Sequence, residues 1–248
     1  MGKIALNISS VRKHQPGEVF SIVEKLARIG YDGVEFISYT NVPAKELRKV
    51  LDANGIVSSG NHITYESLTG DLDAVLDYNM EIGSPCIVCP RLPEQMRNID
   101  GAKQAAEALR GAAERCKKQG IRLMYQHHDW ELVAHNGKNA LDIMAEILPE
   151  ELFFFQMETY WLKAGGHDAP SLIDKYRNRC VSIHIGDKKN EQDSDYTELG
   201  KGVVDLNPII KKCKEICMEW YNIQQEHYTD DMFASIKRNY EYLKNLTK

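Results

Sequence analysis

Short apolar runs alternate with longer amphipathic stretches along the whole chain. Residues 3–7 (KIALN) read as a strand. Residues 18–28 (EVFSIVEKLAR) place apolar side chains at helical spacing and stop at Gly30, a helix terminator. The same alternation predicts a strand at 34–37, a helix at 44–53 closed by Asn54 and Gly55, and a strand at 56–62. A helix at 71–82 ends at Gly83 and precedes a strand at 86–89. A long Ala-rich helix over 101–118 stops at Gly120, and a strand follows at 121–127. Next come a helix at 138–147 with Pro149 just beyond it, a strand at 152–157 and a short helix at 169–176. A strand at 180–185, a helix at 206–219 with Pro208 in its first turn, a strand at 221–225 and a helix at 231–245 complete the series.

Strand–helix alternation of this kind predicts a parallel sheet with helices outside it. Eight such units in 248 residues predict a closed barrel: α/β class, a single (β/α)8 TIM barrel filling residues 1–248. An open doubly wound sheet is the alternative. It would want a Gly-rich phosphate loop after the first strand, and Asn7-Ile-Ser-Ser-Val-Arg12 contains no G-x-G-x-x-G.

Composition narrows the function classes. The formal net charge of −5 argues against a protein whose main task is holding nucleic acid, because phosphate binding needs a basic face. No run of about 18 apolar residues predicts a membrane span, and the N-terminal MGKIALNISSVRKH lacks a signal-peptide core. A cytoplasmic location is the expectation. Six cysteines stand at 86, 89, 116, 180, 213 and 217. Cys86 and Cys89 have redox or zinc spacing, but lie inside an expected strand with no second pair. Cys213 and Cys217 sit one helical turn apart, and free, packed thiols are the reading for both pairs.

The polar residues fall where a barrel places its chemistry, at the C-terminal ends of strands. Glu35 sits in the second strand and His62 closes the third. Gln126, His127, His128 and Asp129 close the fifth, and Glu158 closes the sixth, followed by Tyr160 and Trp161. His184 and Asp187 close the seventh, and Gln224, Gln225 and Glu226 close the eighth. Each alone reads as a satisfied hydrogen-bonding residue. Together, at one barrel mouth, they form an expensive polar cluster with the usual ligand types of a divalent metal.

These residues resemble the sugar phosphate isomerase/epimerase family of the xylose isomerase-like barrels. The resemblance is carried by Gly30-Tyr-Asp-Gly-Val-Glu-Phe36, Gly120-Ile-Arg-Leu-Met-Tyr-Gln-His-His-Asp-Trp-Glu131 and Met157-Glu-Thr-Tyr-Trp161 with Ala164-Gly-Gly-His-Asp168. It continues in Ser182-Ile-His-Ile-Gly-Asp187, Leu199-Gly-Lys-Gly-Val203 and Tyr221-Asn-Ile-Gln-Gln-Glu226. It implies one divalent cation (Mn, Mg, Co or Zn) held from strands five to eight. The corresponding positions here are Gln126, Glu158, His184 and Gln224. Family members use glutamates on strands five and eight as ligands and proton carriers. Glutamine has no charge and does not titrate near neutrality, so cation affinity should fall and the two-glutamate shuttle is lost.

Regular strand alternation would turn His128 and Glu226 to the same side as Gln126 and Gln224. A shifted set of His128, Glu158, His184 and Glu226 is therefore an alternative ligand and acid–base set, with Asp129 a further base. His62, Trp161, Asp187, Lys188 and Glu35 are candidate substrate contacts, each with a structural alternative; for Glu35 bracing from below is preferred. Lys189 and Arg12 share the acidic-substrate reading with Lys188, and solvated side chains are the plainer one.

The implied activity is isomerisation or epimerisation of a small carbohydrate by proton abstraction next to a carbonyl. A dehydratase or lyase acting on an oxidised sugar or inosose-like polyol is the alternative. A degenerate sugar-binding member and a nucleic-acid repair enzyme are less favoured. Homo-oligomers are an expectation from the family.

Overall fold

The computed structural model describes residues 2–11, 18–38, 42–192 and 194–248; Arg12 lies outside them. Eight parallel strands close a barrel. They are β1 (Lys3–Asn7), β2 (Gly33–Ile37), β3 (Val57–His62), β4 (Cys86–Cys89), β5 (Arg122–Gln126), β6 (Phe153–Glu158), β7 (Cys180–Ile185) and β10 (Trp220–Ile223). A short antiparallel hairpin, β8 (Asp187–Lys188) and β9 (Tyr196–Thr197), stands apart from the barrel. The helices are α1 (Val19–Ile29), α2 (Ala44–Asn54), α3 (Tyr65–Thr69), α4 (Leu72–Glu81), α5 (Ile99–Lys118), α6 (Ala140–Ile147), α7 (Thr159–Ala164), α8 (Ala169–Lys175), α9 (Leu206–Glu215) and α10 (Met232–Thr247).

Local chemistry accounts for these boundaries. α1 buries Val19, Ile22, Val23 and Leu26, one helical stripe, against the barrel. Each such burial is worth about 1.5–3 kcal/mol. Gly30 ends α1 at φ 113°, a conformation that costs other residues a steric clash, and its N–H reaches Leu26 O and Ala27 O. Asn139 and Asp142 form a reciprocal capping box at the start of α6. The helices α3 and α7 and the β8–β9 hairpin are additions to the eight-unit rhythm.

The apolar core divides in two. Ile87, Leu123, Tyr125, Phe155, Ile183 and Ile223 face outward, into the large core between sheet and helices. Their strand neighbours Cys86, Val88 and Met124, with Phe154 and Val181, form a separate small cluster inside the barrel. Toward the mouth the barrel interior becomes polar, around Glu35, Gln156, Ser182, His184 and Asn222. Five of the cysteines are buried and all six are free thiols; burial pushes Cys86 and Cys116 up to about 12. No helix among the described residues is long and apolar enough to cross a membrane.

Candidate active site

Glu35 is the centre of the polar interior. It sits on β2 beside Asn7 of β1 and Gly60 of β3. A register shift between Val34 and Glu35 pairs them with Ser58 and Gly60, leaving Ser59 as an extra residue. That bulge changes the phase of β3. Ser59 Oγ therefore reaches Asn222 Oδ1 across the barrel (2.7 Å), and His62, three residues on, still lines the mouth.

The Glu35 carboxylate is fully buried and heavily hydrogen-bonded. It accepts from Asn7 Nδ2 (2.6 Å), Gln156 Nε2 (2.6 Å) and Asn222 Nδ2 (3.3 Å). His184 Nε2 lies 2.5 Å from Glu35 Oε2, and His62 Nε2 lies 3.3 Å from the same oxygen. Burial alone would raise the Glu35 carboxyl; the charge and hydrogen bonds of the two rings hold it well below the usual carboxylate range. Ser182 Oγ receives Gln156 Nε2 (2.9 Å) and Asn222 Nδ2 (2.8 Å), completing a polar floor.

His184 stands between two carboxylates. Nε2 faces Glu35, and Nδ1 faces Glu158 Oε2 at 2.9 Å. Burial opposes the imidazolium, but Glu35 and Glu158 push His184 up to about 10. Gln126 Nε2 also meets Nδ1, at 3.0 Å; which amide atom faces the ring follows from the proton on that nitrogen. The rings of His62 and His184 are stacked, 5.4 Å apart and 6° from parallel.

Glu158 is fixed by its backbone. It caps the short helix α7, its Oε1 accepting the Tyr160 N–H at 3.3 Å. Its own N–H donates to His127 Nε2 (3.0 Å), so His127 Nδ1–H donates to His128 O (2.8 Å). His127 is thus a neutral structural imidazole, and burial lowers its pKa. Gly186 gives Glu158 room: a Cβ there would lie 3.1 Å from Oε1 and 2.7 Å from Tyr196.

A cavity of about 450 Å³ opens above this floor. His62, Gln126, His128, Trp161, Gln224 and Glu226 line it, with Asp129, Arg91 and Arg97 among the other wall residues. Glu35, Glu158 and His184 lie beneath it, each fully buried. Trp161 packs on His128, with ring centres 5.4 Å apart. Glu131, fully buried, holds the His128 loop by accepting the His128 N–H (2.7 Å) and the Tyr125 hydroxyl (2.6 Å).

The candidate ligands are only partly brought together. Gln126, Glu158 and His184 converge on His184 Nδ1. Gln224 instead donates to Glu226 (3.0 Å). β5 stops at Gln126 and β10 at Ile223, so strand alternation does not extend to His128 or Glu226 of the shifted set. Both reach the cavity wall from loops. A second grouping, Glu35, His62 and His184, has ligand atoms within 4.8 Å of one another and can also hold a metal ion.

Three of the candidate substrate contacts, Asp187, Lys188 and Glu35, do not line the cavity. Asp187 is a loop staple: its carboxylate accepts backbone N–H groups of Gly200 (2.9 Å), Gly202 (3.0 Å) and Val204 (3.0 Å). Lys188 is buried and donates to Asn190 O (2.5 Å). Glu35 braces the mouth from below, behind His62. The floor residues Asn7, Gln156, Ser182 and Asn222 were legible only as single polar residues in apolar strands such as FFFQME and WYNI.

Residues 23–246 match the family model of the xylose isomerase-like TIM barrel. An inosose dehydratase of Clostridium beijerinckii is 22% identical over 245 residues, 82% of this chain and 80% of that protein. An inosose dehydratase of Clostridium perfringens is 25% identical over 140 residues, so the match spans 50% of this chain but only 46% of the relative. A sugar phosphate isomerase/epimerase from Parabacteroides distasonis superposes with TM-score 0.84 at 23% identity, covering 100% of this chain and 96% of that one. The IolI protein, solved with a bound zinc atom, superposes with TM-score 0.79 at 14% identity over 99% and 98%. Structural likeness at this identity carries the fold and leaves the reaction open. The extent of the family match is decisive: the chain belongs to the xylose isomerase-like TIM barrel family.

Proposed function

We propose that the chain is an enzyme that takes a small keto sugar or keto-polyol into the barrel mouth and removes a proton next to its carbonyl. The observation that carries this reading is His62, a buried imidazole on the cavity wall with Nε2 3.3 Å from the Glu35 carboxylate. Nε2 has no aligned hydrogen-bond partner among the described residues. A ring with that nitrogen turned to Glu35 would take a substrate proton on Nδ1, and the anion behind it would stabilise the resulting imidazolium. Such a base contributes about a hundredfold to ten-thousandfold in rate.

Dehydration fits this wall better than epimerisation. A two-carboxylate shuttle needs titrating groups where this chain has Gln126 and Gln224. Loss of water needs one base and one acid. His62 would take the proton from carbon, and Glu226 or His128, both on the cavity wall, would protonate the departing hydroxyl. The inosose dehydratase relatives support the same direction. Isomerisation or epimerisation is the second reading, favoured by the position of Glu226 beside Gln224, where a carboxylate stands near the usual one.

A divalent cation belongs to this reading. The donor set fits on one side of His184: Nε2–H is given to Glu35, and a cation that displaced the Nδ1 proton would meet that nitrogen's lone pair beside the Glu158 carboxylate and the Gln126 amide. These three residues would hold it; when bound, such an ion polarises a substrate carbonyl. On the other side the 2.5 Å gap between His184 Nε2 and Glu35 Oε2 must open before an ion could enter. Gln126, an amide where a carboxylate would carry charge, leaves the set with less negative charge, so the affinity should be low.

The reading is tested with purified protein and Mn²⁺ on a panel of inososes and ketohexoses. Consumption of a keto-polyol with appearance of a dehydrated product supports dehydration, and a new sugar isomer supports the second reading. Conversion of none of them would overturn both.

A further inference from the structure

Arg91 and Arg97 follow β4 and line the same cavity as His62. Both are exposed, and neither has a carboxylate within ion-pair distance among the described residues. The contrast with the other described arginines is informative. Six of them hold an Asp or Glu. Arg110 and Arg179 donate to backbone carbonyls at the end of α6 and nearby. In a chain of net charge −5, four described arginines hold no carboxylate, and Arg91 and Arg97 are the two of these that line the cavity.

Their loop is built to keep them there. Pro90 and Pro93 restrict the backbone, and Leu92 between them is fully buried. Arg97 folds back along the loop, its Nε donating to Leu92 O at 3.1 Å. The two wall carboxylates take other partners: Asp129 accepts the Trp130 N–H (2.8 Å), and Glu226 accepts from Gln224 (3.0 Å). The lysines that an acidic substrate was expected to meet are engaged elsewhere, Lys188 with Asn190 O and Lys189 with Asp195 at 3.7 Å.

We infer that Arg91 and Arg97 form an anion subsite on the cavity wall, and that the substrate is a keto sugar bearing a carboxylate or a phosphate. The guanidinium fork suits either group. This rests on the proton-abstraction reading for the rest of the substrate.

Calorimetric titration with D-fructose, D-fructose 6-phosphate and D-fructuronate tests it on wild type, Arg91→Gln, Arg97→Gln, the double variant and Arg97→Lys. At least one anion should bind tenfold or more tighter than fructose. Each Gln variant should lose roughly tenfold of that anion's affinity with fructose binding and the unfolding midpoint unchanged. Arg97→Lys should recover part of the loss, because charge remains without the fork. Preference for the phosphate or the uronate identifies the group. Equal binding of the three ligands, no binding of either anion, or a preference that survives the double variant would overturn the subsite. Turnover of fructose without anion preference would sink the subsite and leave the proton-abstraction reading. Anion binding without turnover or proton exchange would do the reverse.

Discussion

His184 and Glu35 meet beneath the barrel mouth with 2.5 Å between Nε2 and Oε2, both fully buried. The contact joins β2 and β7, which are not neighbours in the barrel, and fixes which ring nitrogen faces Glu158. A buried pair of this kind is costly to break from one side, because the remaining charge loses its partner. Glu35→Ala should therefore destabilise the fold by about 3–5 kcal/mol, read as a lower urea midpoint. Glu35→Gln should cost less, since its amide oxygen still accepts from some of the same donors. A loss of less than about 1 kcal/mol for the Ala variant would contradict the role given to the polar floor.

Asp187 holds three backbone N–H groups of the loop at residues 200–204. Asp187→Ala should speed amide exchange at Gly200, Gly202 and Val204, at a cost of about 1–3 kcal/mol for each donor left buried without an acceptor. Gly202→Ala should do likewise, because a Cβ there would come within 2.3 Å of Asp187 Oδ1 and 2.1 Å of Lys188 O. Unchanged protection in Asp187→Ala would refute the staple.

Acid should act through Glu198. Arg238, Lys201 and Ser235 hydrogen-bond this buried carboxylate and hold it down at about 2, against an ordinary 4.5. A carboxyl lowered on folding stabilises fully above its unfolded pKa and loses that contribution as pH falls through the folded one. Stability should thus decline between about pH 4.5 and pH 2. Glu198→Gln should flatten that part of a urea-midpoint profile. A slope unchanged in the variant would place the acid sensitivity elsewhere.

The barrel itself was legible because its signals are local. Periodicity, terminal glycines and turn prolines marked every barrel strand and the helix after it, and β1 (Lys3–Asn7), β4 (Cys86–Cys89) and β7 (Cys180–Ile185) match their expected limits. The interior of the site was less legible because it is made by register. The β3 bulge that keeps His62 on the mouth depends on how Ser59 is accommodated opposite β2, which no local pattern encodes. Strand ends posed the same problem: β10 stops at Ile223, so alternation gave no sound guide to Glu226. α7 was missed because it begins at Thr159, directly after β6, with Glu158 both the last strand residue and the helix N-cap.

Metal affinity should follow the charge of the ligand set. Gln126 and Glu158 both face His184 Nδ1, so Gln126→Glu should raise Mn²⁺ affinity roughly tenfold or more. Bound metal, measured by elemental mass spectrometry, should vanish in Glu158→Ala and His184→Ala. Retention of metal in both Ala variants would move the site to other residues.

In the proposed reaction His62 removes a proton from carbon next to a substrate carbonyl. The most direct measurement is deuterium wash-in from D₂O, followed by proton NMR on inososes, ketohexoses and ketohexuronates, for wild type and His62→Ala. Exchange at the carbon beside the carbonyl is expected in wild type, with a loss of about a hundredfold or more in the variant while its circular dichroism stays that of the folded barrel. Exchange that persists in His62→Ala at the wild-type rate would contradict that role.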